Sequence, residues 1–281
     1  MYYHRVFFEF EDTNRVEPTE LAVIDSYIRK HCGELEFVCW GLEDARAFLQ
    51  REYPFMADLF VSPTKLPKPI VLCDLFRYVL MYHFGGVYTD MDFLPVRSFE
   101  SLTRHLHNSA LLSSPRRVTA PAVVLSEEWL NSSTTTHTIH NGILISFVER
   151  HPFWMKLMME VYTDIRARGE RVTADAEVYA ISGPKRLCKY FYENVERFAD
   201  VCLLPHFYFC PYLSYEENEQ HNLVARVCGN HTLTDSKEHG HDSPKERWVF
   251  LNVRDHASLN ALCPNSFFVN VFMNTGSMWK T

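Results

Sequence analysis

Two aspartates separated by one residue, Asp90 and Asp92, have the type and spacing that metal chemistry requires. They follow the short apolar run VYT at 87–89, so a strand would deliver both carboxylates to a loop. Such a pair can converge on one hard divalent cation, which prefers oxygen ligands and keeps positions open for phosphate oxygens. The cation would neutralise the charge of a departing diphosphate without any proton transfer. The pair therefore predicts a metal and diphosphate site.

Two alternatives compete with this interpretation of the aspartate pair. Two Asp at this spacing also arise by chance in solvated loops and helix caps. Phosphatases of the haloacid dehalogenase type carry D-x-D-x-[TV] directly after their opening strand. Here Leu94 occupies the fifth position and the motif follows residue 85, and both features count against that class.

Alternating strands and helices lead up to the pair. The predicted elements are a strand at 5–10, a helix opened by Pro18 and ended at Gly33, a strand at 37–40, a helix at 42–53, a loop at 61–70 and a helix at 71–84. Gly85-Gly86 would end the last helix, because Gly tolerates the left-handed conformation. Further strands are predicted near 121–125 and 139–146, and further helices at 151–168 and 183–195. This order is typical of a parallel sheet flanked by helices.

The helix at 71–84 carries a second pair of charges, Asp74 and Arg77. Residues three apart lie on the same face of a helix, so the two side chains can act together. The alternative is an ordinary surface ion pair worth a few tenths of a kcal/mol.

Residues 73–92 together resemble the signature of family 32 glycosyltransferases, roughly S-D-x-x-R-Y, an apolar run, then G-G-x-Y-x-D-x-D. Clostridial glucosylating toxins and yeast-type initiating mannosyltransferases share that signature. The resemblance implies the α/β type-A glycosyltransferase fold, a Rossmann-like, mostly parallel sheet with flanking helices. It also implies roles for four residues. Asp74 would bind hydroxyls of the donor sugar, Arg77 the sugar or the diphosphate, Asp90 the ribose or sugar and the metal shell, and Asp92 the metal itself.

Weaker similarities extend the predicted donor site. Asn141 resembles the family's Asn that contacts the donor sugar, with a turn residue as its alternative. Phe8 or Phe10 would stack on the nucleotide base, and core packing is an equal interpretation. Tyr88 belongs to the donor-side motif, again with core packing as the alternative. Gly183-Pro184 resembles the family's T-G-P, and Asp175 and Glu177 lie just before it.

The last residues of the sequence resemble the family's closing S-x-W. Asn274 and Ser277 would help to hold the metal, and Trp279 would cover the diphosphate. The sequence departs from the family in two places. The family's His just upstream is not evident, since Phe272 and Met273 occupy that region, and Asn274 stands where the toxins have an acid. Asn is a neutral oxygen ligand, so we expect weaker metal binding.

The resemblance implies a retaining transfer of sugar from a UDP- or GDP-linked donor to a hydroxyl of a glycan, protein or small molecule. Mn²⁺ is the expected ion and Mg²⁺ the alternative. Two other functions remain open: a metal-dependent phosphatase or sugar-nucleotide hydrolase, and a nucleotide-sugar-binding module without activity.

Size and composition limit the other possibilities. The 281 residues predict one domain, with a nucleotide-sugar half at 1–95 and an acceptor side and C-terminal lid at 96–281. The net charge of −7 argues against a nucleic-acid binder. No stretch reaches the roughly 18–20 apolar residues of a membrane span, and no signal peptide is evident. We therefore expect a cytoplasmic protein.

Overall fold

The structure, a computed structural model, describes most of the chain. The described residues are 1–8, 18–62, 65–112, 121–128, 138–209, 212–217, 223–227, 247–250, 263 and 265–270. Among their helices, none combines the length and apolar character that crossing a bilayer requires.

A six-stranded sheet forms the centre of the fold. Its strands are β1 (Tyr2–Val6), β2 (Glu36–Trp40), β3 (Gly86–Thr89), β5 (Val123–Glu128), β6 (Thr138–Ser146) and β7 (Val201–Leu204), in the order β2-β1-β3-β6-β5-β7. Five strands run in the same direction, and β6 alone is antiparallel to its neighbours. The predicted mostly parallel α/β sheet is confirmed. The carboxyl ends of the parallel strands meet at one edge, where α/β sheets bind their ligands.

Two smaller sheets accompany the main one. The pair β4 (Phe93–Pro95) and β11 (Phe268–Asn270) is antiparallel, and β8 (Tyr212–Glu217), β9 (Leu223–Val227) and β10 (Arg247–Phe250) form an antiparallel set of three. Within the first pair, Asn270 lies opposite Phe93. The end of β11 therefore lies next to the start of β4.

Helices cover both faces of the main sheet. They are α1 (Pro18–His31), α2 (Leu42–Glu52), α3 (Pro54–Val61), α4 (Ile70–His83), α5 (Phe99–Leu112), α6 (Pro152–Arg168), α7 (Asp175–Ile181) and α8 (Pro184–Asn194). Neighbouring strand residues point to opposite faces. On β3, Tyr88 packs into the core with α2, α3, α4 and α6, whereas Val87 packs into the core with α1 and α5.

Helix α4 lies in the middle of one of these layers. Every residue from Val71 to Met81 is buried, so the helix has no solvent face over that span. Asp74 and Arg77 are the charged residues within it. The ion pair between them is therefore a buried one, and the alternative of a surface ion pair is wrong.

Two glycines join α4 to β3, as the sequence predicts. Gly85 and Gly86 have φ values of 60° and 91°, in the left-handed region that favours glycine. A Cβ on Gly85 would lie 2.9 Å from the carbonyl oxygens of Ser146 and Val148, and one on Gly86 would strike the backbone of Tyr2. The tight ending places β3 directly beside the helix.

The predicted first strand has the wrong bounds. β1 spans Tyr2–Val6 and not 5–10. These are the residues that pair with β2 on one side, and two of them also pair with β3 on the other. A search for apolar runs misses this strand because it contains the polar residues His4 and Arg5. Both side chains are buried, and both form hydrogen bonds to backbone carbonyl oxygens. Helices α3, α5 and α7 were also not predicted, whereas the remaining predicted elements have counterparts within a few residues.

Candidate active site

The two aspartates lie in a tight turn, residues 90–93, that connects β3 to β4; we call it the D-x-D turn. Phe93 N donates to Asp90 O at 3.2 Å, closing the turn, and Asp90 N donates to Gly142 O on β6 at 2.7 Å. The turn is thus attached to the carboxyl end of β3 and to the neighbouring strand. This is the sheet edge where the sequence predicts the site.

Asp90 is held in place but remains reachable from solvent. Its side chain is 34% exposed. Tyr88 Oη donates to Oδ1 at 2.6 Å, and Arg77 Nη1 donates to Oδ2 at 3.2 Å. Two fixed donors therefore orient this carboxylate toward the edge of the sheet.

Asp92 is buried, in contrast to Asp90. The residue is only 8% exposed, and its buried Oδ1 has no hydrogen-bond partner in the part of the chain that the structure describes. Burial, followed by the charge of Asp90, raises the pKa of Asp92 to about 7. A buried carboxylate oxygen without a donor is costly unless a cation or a proton satisfies it. The residues present therefore fit a bound divalent cation.

Arg77 connects the helix to the turn. The residue is 4% exposed, and its Nη2 lies 3.0 Å from Asp74 Oδ1. Its Nη1 also donates to the carbonyl of Asn141 at 2.8 Å, and the guanidinium lies over the ring of Tyr88, 4.9 Å from its centroid. One buried cation thus holds Asp74, Asp90 and β6 in fixed relation.

Asp74 is 4% exposed and accepts bonds from three directions. Asn141 Nδ2 donates at 2.9 Å and Ser182 Oγ at 2.8 Å, in addition to Arg77. Burial raises the pKa of Asp74, and Arg77 acts against that shift. An ionised carboxylate has about four acceptor positions, so one remains for a ligand hydroxyl. Asn141 lies within β6 and not in a turn.

Sequence reasoning missed Ser182 and Gly142. Ser182 is fully buried and directly precedes Gly183-Pro184. The position of its hydroxyl next to that motif is the feature of the sequence that indicates a role at the site. A Cβ on Gly142 would lie 2.6 Å from both Asp90 Oδ2 and His140 Cε1. Gly at this position lets β6 approach the D-x-D turn closely.

Other predicted residues lie elsewhere. The Phe8 ring is buried against Phe60 and Phe76, so the structure shows the core-packing alternative. Asp175 pairs with Lys68 at 2.9 Å. Glu177 caps α7 by accepting from two backbone N–H groups at 3.0 Å.

The predicted metal and lid residues are only partly described. Phe10, Asn274, Ser277 and Trp279 lie outside the described residues. Within the part of the chain that the structure describes, no group of three or more His, Cys, Asp or Glu side chains is arranged to hold a metal ion. Asp90 and Asp92 would therefore share a cation with ligands from elsewhere.

Comparison with known families agrees with the motif. Residues 19–108 match the family model "Glycosyltransferase sugar-binding region containing DXD motif". The matched segment contains α4, β3 and the D-x-D turn. The predicted resemblance is confirmed over this segment, which is about a third of the chain.

Two curated yeast proteins are similar in sequence. Mannosyl phosphorylinositol ceramide synthase CSH1 of Saccharomyces cerevisiae is 26% identical over 134 residues, 46% of this chain and 29% of the relative. Inositol phosphoceramide mannosyltransferase 3 of Schizosaccharomyces pombe is 26% identical over 146 residues, 52% of this chain and 33% of the relative. The similarity thus spans about a third of the length of these relatives.

Solved glycosyltransferase structures show distant similarity. The PaToxG glycosyltransferase aligns with a TM-score of 0.43 at 12% identity, covering 69% of each chain. A glycosyltransferase involved in the glycosylation of the major capsid of PBCV-1 aligns with a TM-score of 0.39 at 9% identity, covering 100% of this chain and 98% of the other.

Proposed function

We propose that this protein transfers a sugar from a nucleotide-sugar donor to an acceptor hydroxyl, with a divalent metal at the D-x-D turn. The observation that carries the proposal is the buried Oδ1 of Asp92, which no described residue hydrogen-bonds, beside the partly exposed carboxylate of Asp90. Both lie in the segment that matches the sugar-binding family. A cation would satisfy that oxygen and still face solvent, where a diphosphate can join it.

Asp92 would ligate the metal directly, and Asp90 directly or through water. Mn²⁺ is the proposed ion, with Mg²⁺ as the alternative. When bound, the metal would neutralise the negative charge of the departing diphosphate. Asn274 and Ser277 are proposed as further ligands. Asn270 lies opposite Phe93 and only four residues before Asn274, a length of chain that reaches about 13 Å when extended.

The donor sugar would be held mainly by Asp74. Asn141, Ser182 and Arg77 occupy three acceptor positions of its carboxylate and fix its orientation. The fourth acceptor position would bind a sugar hydroxyl. Arg77 is proposed as a positioning residue rather than a diphosphate ligand, because it is buried and engaged with Asp74, Asp90 and Asn141. This changes the role that the resemblance implied for Arg77.

We propose transfer with retention, in which the acceptor attacks on the face that the diphosphate leaves. Such a reaction needs no strong general base. Asp74 and Asp90 are both engaged with Arg77, which suits residues that bind and orient rather than residues that exchange protons. The acceptor would carry a hydroxyl on a glycan, protein or small molecule, including a lipid headgroup of the kind named for the yeast relatives.

The donor assay tests this function. Purified protein is incubated with Mn²⁺ or EDTA and a panel of UDP- and GDP-sugars, and nucleotide release is measured. We include GDP-mannose because the similar yeast proteins are named as mannosyltransferases. We expect release that needs metal and disappears in Asp92→Asn. The matched control is Asp25→Asn, which removes an aspartate of α1 whose partner Arg29 is exposed.

The same assay separates the alternatives. Metal-dependent phosphate release from p-nitrophenyl phosphate, without nucleotide release from any donor, would favour a phosphatase. Binding of a nucleotide-sugar without turnover, with every acceptor tried, would favour an inactive binding module.

A further inference from the structure

Arg5 is a buried cation that the proposed chemistry does not use. It lies on β1, between β2 and β3, and is 1% exposed. Its Nη2 donates to the carbonyl oxygen of Phe93 at 2.7 Å, and its Nη1 lies 3.4 Å from the carbonyl oxygen of Met91. The guanidinium thus reaches from β1 to the D-x-D turn.

The two carbonyls that Arg5 contacts belong to the residues on either side of Asp92. A planar guanidinium presents its donors in a fixed fork, so contact with both carbonyls restrains the backbone at Asp92. Asp90 has separate support from Tyr88 and Arg77. The Oδ1 of Asp92 has no hydrogen-bond partner among the described residues, so its position depends on the backbone that Arg5 holds.

Core packing does not explain a cation at this position. Burying a charge is costly unless it is paired and hydrogen-bonded. Within the described ranges, no Asp or Glu forms an ion pair with Arg5, and its hydrogen bonds go to the turn. Tyr3, the neighbouring buried residue on the same face, bonds to Thr89 Oγ1 at 2.9 Å, and its ring centroid lies 6.0 Å from the Arg5 guanidinium. The guanidinium of Arg5 therefore forms its hydrogen bonds with the turn around Asp92.

We infer that Arg5 is a positioning residue for the metal, and that it fixes the backbone at Asp92 so that this carboxylate faces the cation. The inference rests on the proposed function. Arg5 would act through Asp92 and would not touch metal or substrate.

Arg5 has two opposing effects on metal binding. Its positive charge repels a nearby cation, so removing the charge alone would tighten binding. Its fork orders the turn, so removing the fork would weaken binding. Partners that orient a metal ligand typically change metal affinity by about 10–100-fold when they are replaced. The inference states that the ordering effect is the larger one.

Metal titration of three variants tests this inference. Mn²⁺ affinity is measured by electron paramagnetic resonance of the free ion, with saturating UDP or GDP, for wild type, Arg5→Lys, Arg5→Met and the control Ser146→Ala. Lys keeps the charge but lacks the planar fork. We expect Arg5→Lys and Arg5→Met to raise the Mn²⁺ Kd by about tenfold or more. Ser146→Ala removes a buried hydrogen bond to Val148 O at the far end of β6 and should leave the Kd unchanged.

A rescue experiment adds a second readout. If Arg5→Lys weakens metal binding only by displacing the backbone at Asp92, raising the Mn²⁺ concentration should restore nucleotide binding. Thermal melts identify any variant that does not fold, and Arg5→Lys carries the test if Arg5→Met unfolds.

Three results would overturn the inference: wild-type Mn²⁺ affinity in Arg5→Lys, tighter binding in Arg5→Met, or an equal loss in Ser146→Ala. A wild-type protein that binds no Mn²⁺ with either nucleotide would instead contradict the proposed function, and the inference would fall with it.

Discussion

Arg77 Nη1 lies 3.2 Å from Asp90 Oδ2 and joins helix α4 to the end of β3. The same guanidinium binds Asp74 through Nη2, so one buried cation bridges the proposed sugar-binding carboxylate and the D-x-D turn. Any displacement of α4 would therefore be transmitted to Asp90. Asp92 has no contact with this bridge among the described hydrogen bonds and ion pairs.

Arg77→Met should destabilise the fold strongly. Removing the cation leaves the buried Asp74 beside Asp90 without their shared partner, and breaking a buried pair in this way costs about 3–5 kcal/mol. Urea unfolding would measure the loss. Arg104→Met is the matched control, since its pair with Glu100 is exposed and should contribute at most about 1 kcal/mol. Equal losses in the two variants would contradict the bridging role.

Ser182→Ala should weaken donor binding as well as stability. The variant removes the donor to Asp74 Oδ2, which costs about 1–3 kcal/mol and loosens the carboxylate. We expect a higher donor KM in steady-state assays. Ser146→Ala provides the comparison, because that buried hydroxyl donates to Val148 O, and its loss should affect unfolding alone. Identical KM values for both variants would disprove the link between Ser182 and the donor.

Gly142→Ala should impair metal binding. The added Cβ would lie 2.6 Å from Asp90 Oδ2, so the carboxylate or the strand must shift. We expect a weaker Mn²⁺ affinity in a calorimetric titration. Gly169→Ala serves as the control, since its Cβ would meet only side-chain methyl groups of Ile165 and Leu66, at 3.1 Å. Unchanged affinity in Gly142→Ala would show that the close approach of β6 is unimportant.

Stability of the metal-free protein should depend on the protonation of Asp92. Burial and the charge of Asp90 raise its folded pKa to about 7, above the unfolded value of about 3.9. Between these values the folded protein binds a proton that the unfolded chain has released, so the free energy of unfolding falls as pH rises. Urea unfolding in EDTA at about pH 5 and pH 8 would measure this.

Asp92→Asn removes the titrating group and gives the control. The wild type should lose more stability than Asp92→Asn between the two pH values. Mn²⁺ competes with the same proton, so its affinity should rise over the upper part of that range. Parallel pH profiles for the two proteins would contradict a raised pKa at Asp92.

Local patterns predicted the elements that carry the site. The apolar run with Asp74 and Arg77 marks α4, and Gly85-Gly86 marks its end, because these features depend on neighbours in sequence. The D-x-D pair was placed after a strand for the same reason. The turn conformation was not predicted, although it decides that Asp90 is half-open and Asp92 is buried.

Contacts between distant segments were the part that the sequence did not reveal. Ser182 reaches Asp74 across 108 residues, and Arg5 reaches Phe93 across 88. The contact of Arg5 depends on the strand order that places β1 beside β3, and the bond of Ser182 depends on the packing of α7 against α4. A buried Arg in a first strand has no local signal for its role, since its partners are backbone carbonyls.

The most direct test of the metal and diphosphate site is a calorimetric titration of UDP and GDP with and without Mn²⁺. We predict that one nucleotide binds wild type at least about tenfold more tightly with Mn²⁺, a difference of about 1.4 kcal/mol. Asp92→Ala should lose that difference without a lower melting temperature, because Asp92 Oδ1 has no hydrogen-bond partner among the described residues to lose. Equal affinity with and without Mn²⁺ in wild type, or a large loss of stability in metal-free Asp92→Ala, would contradict the account.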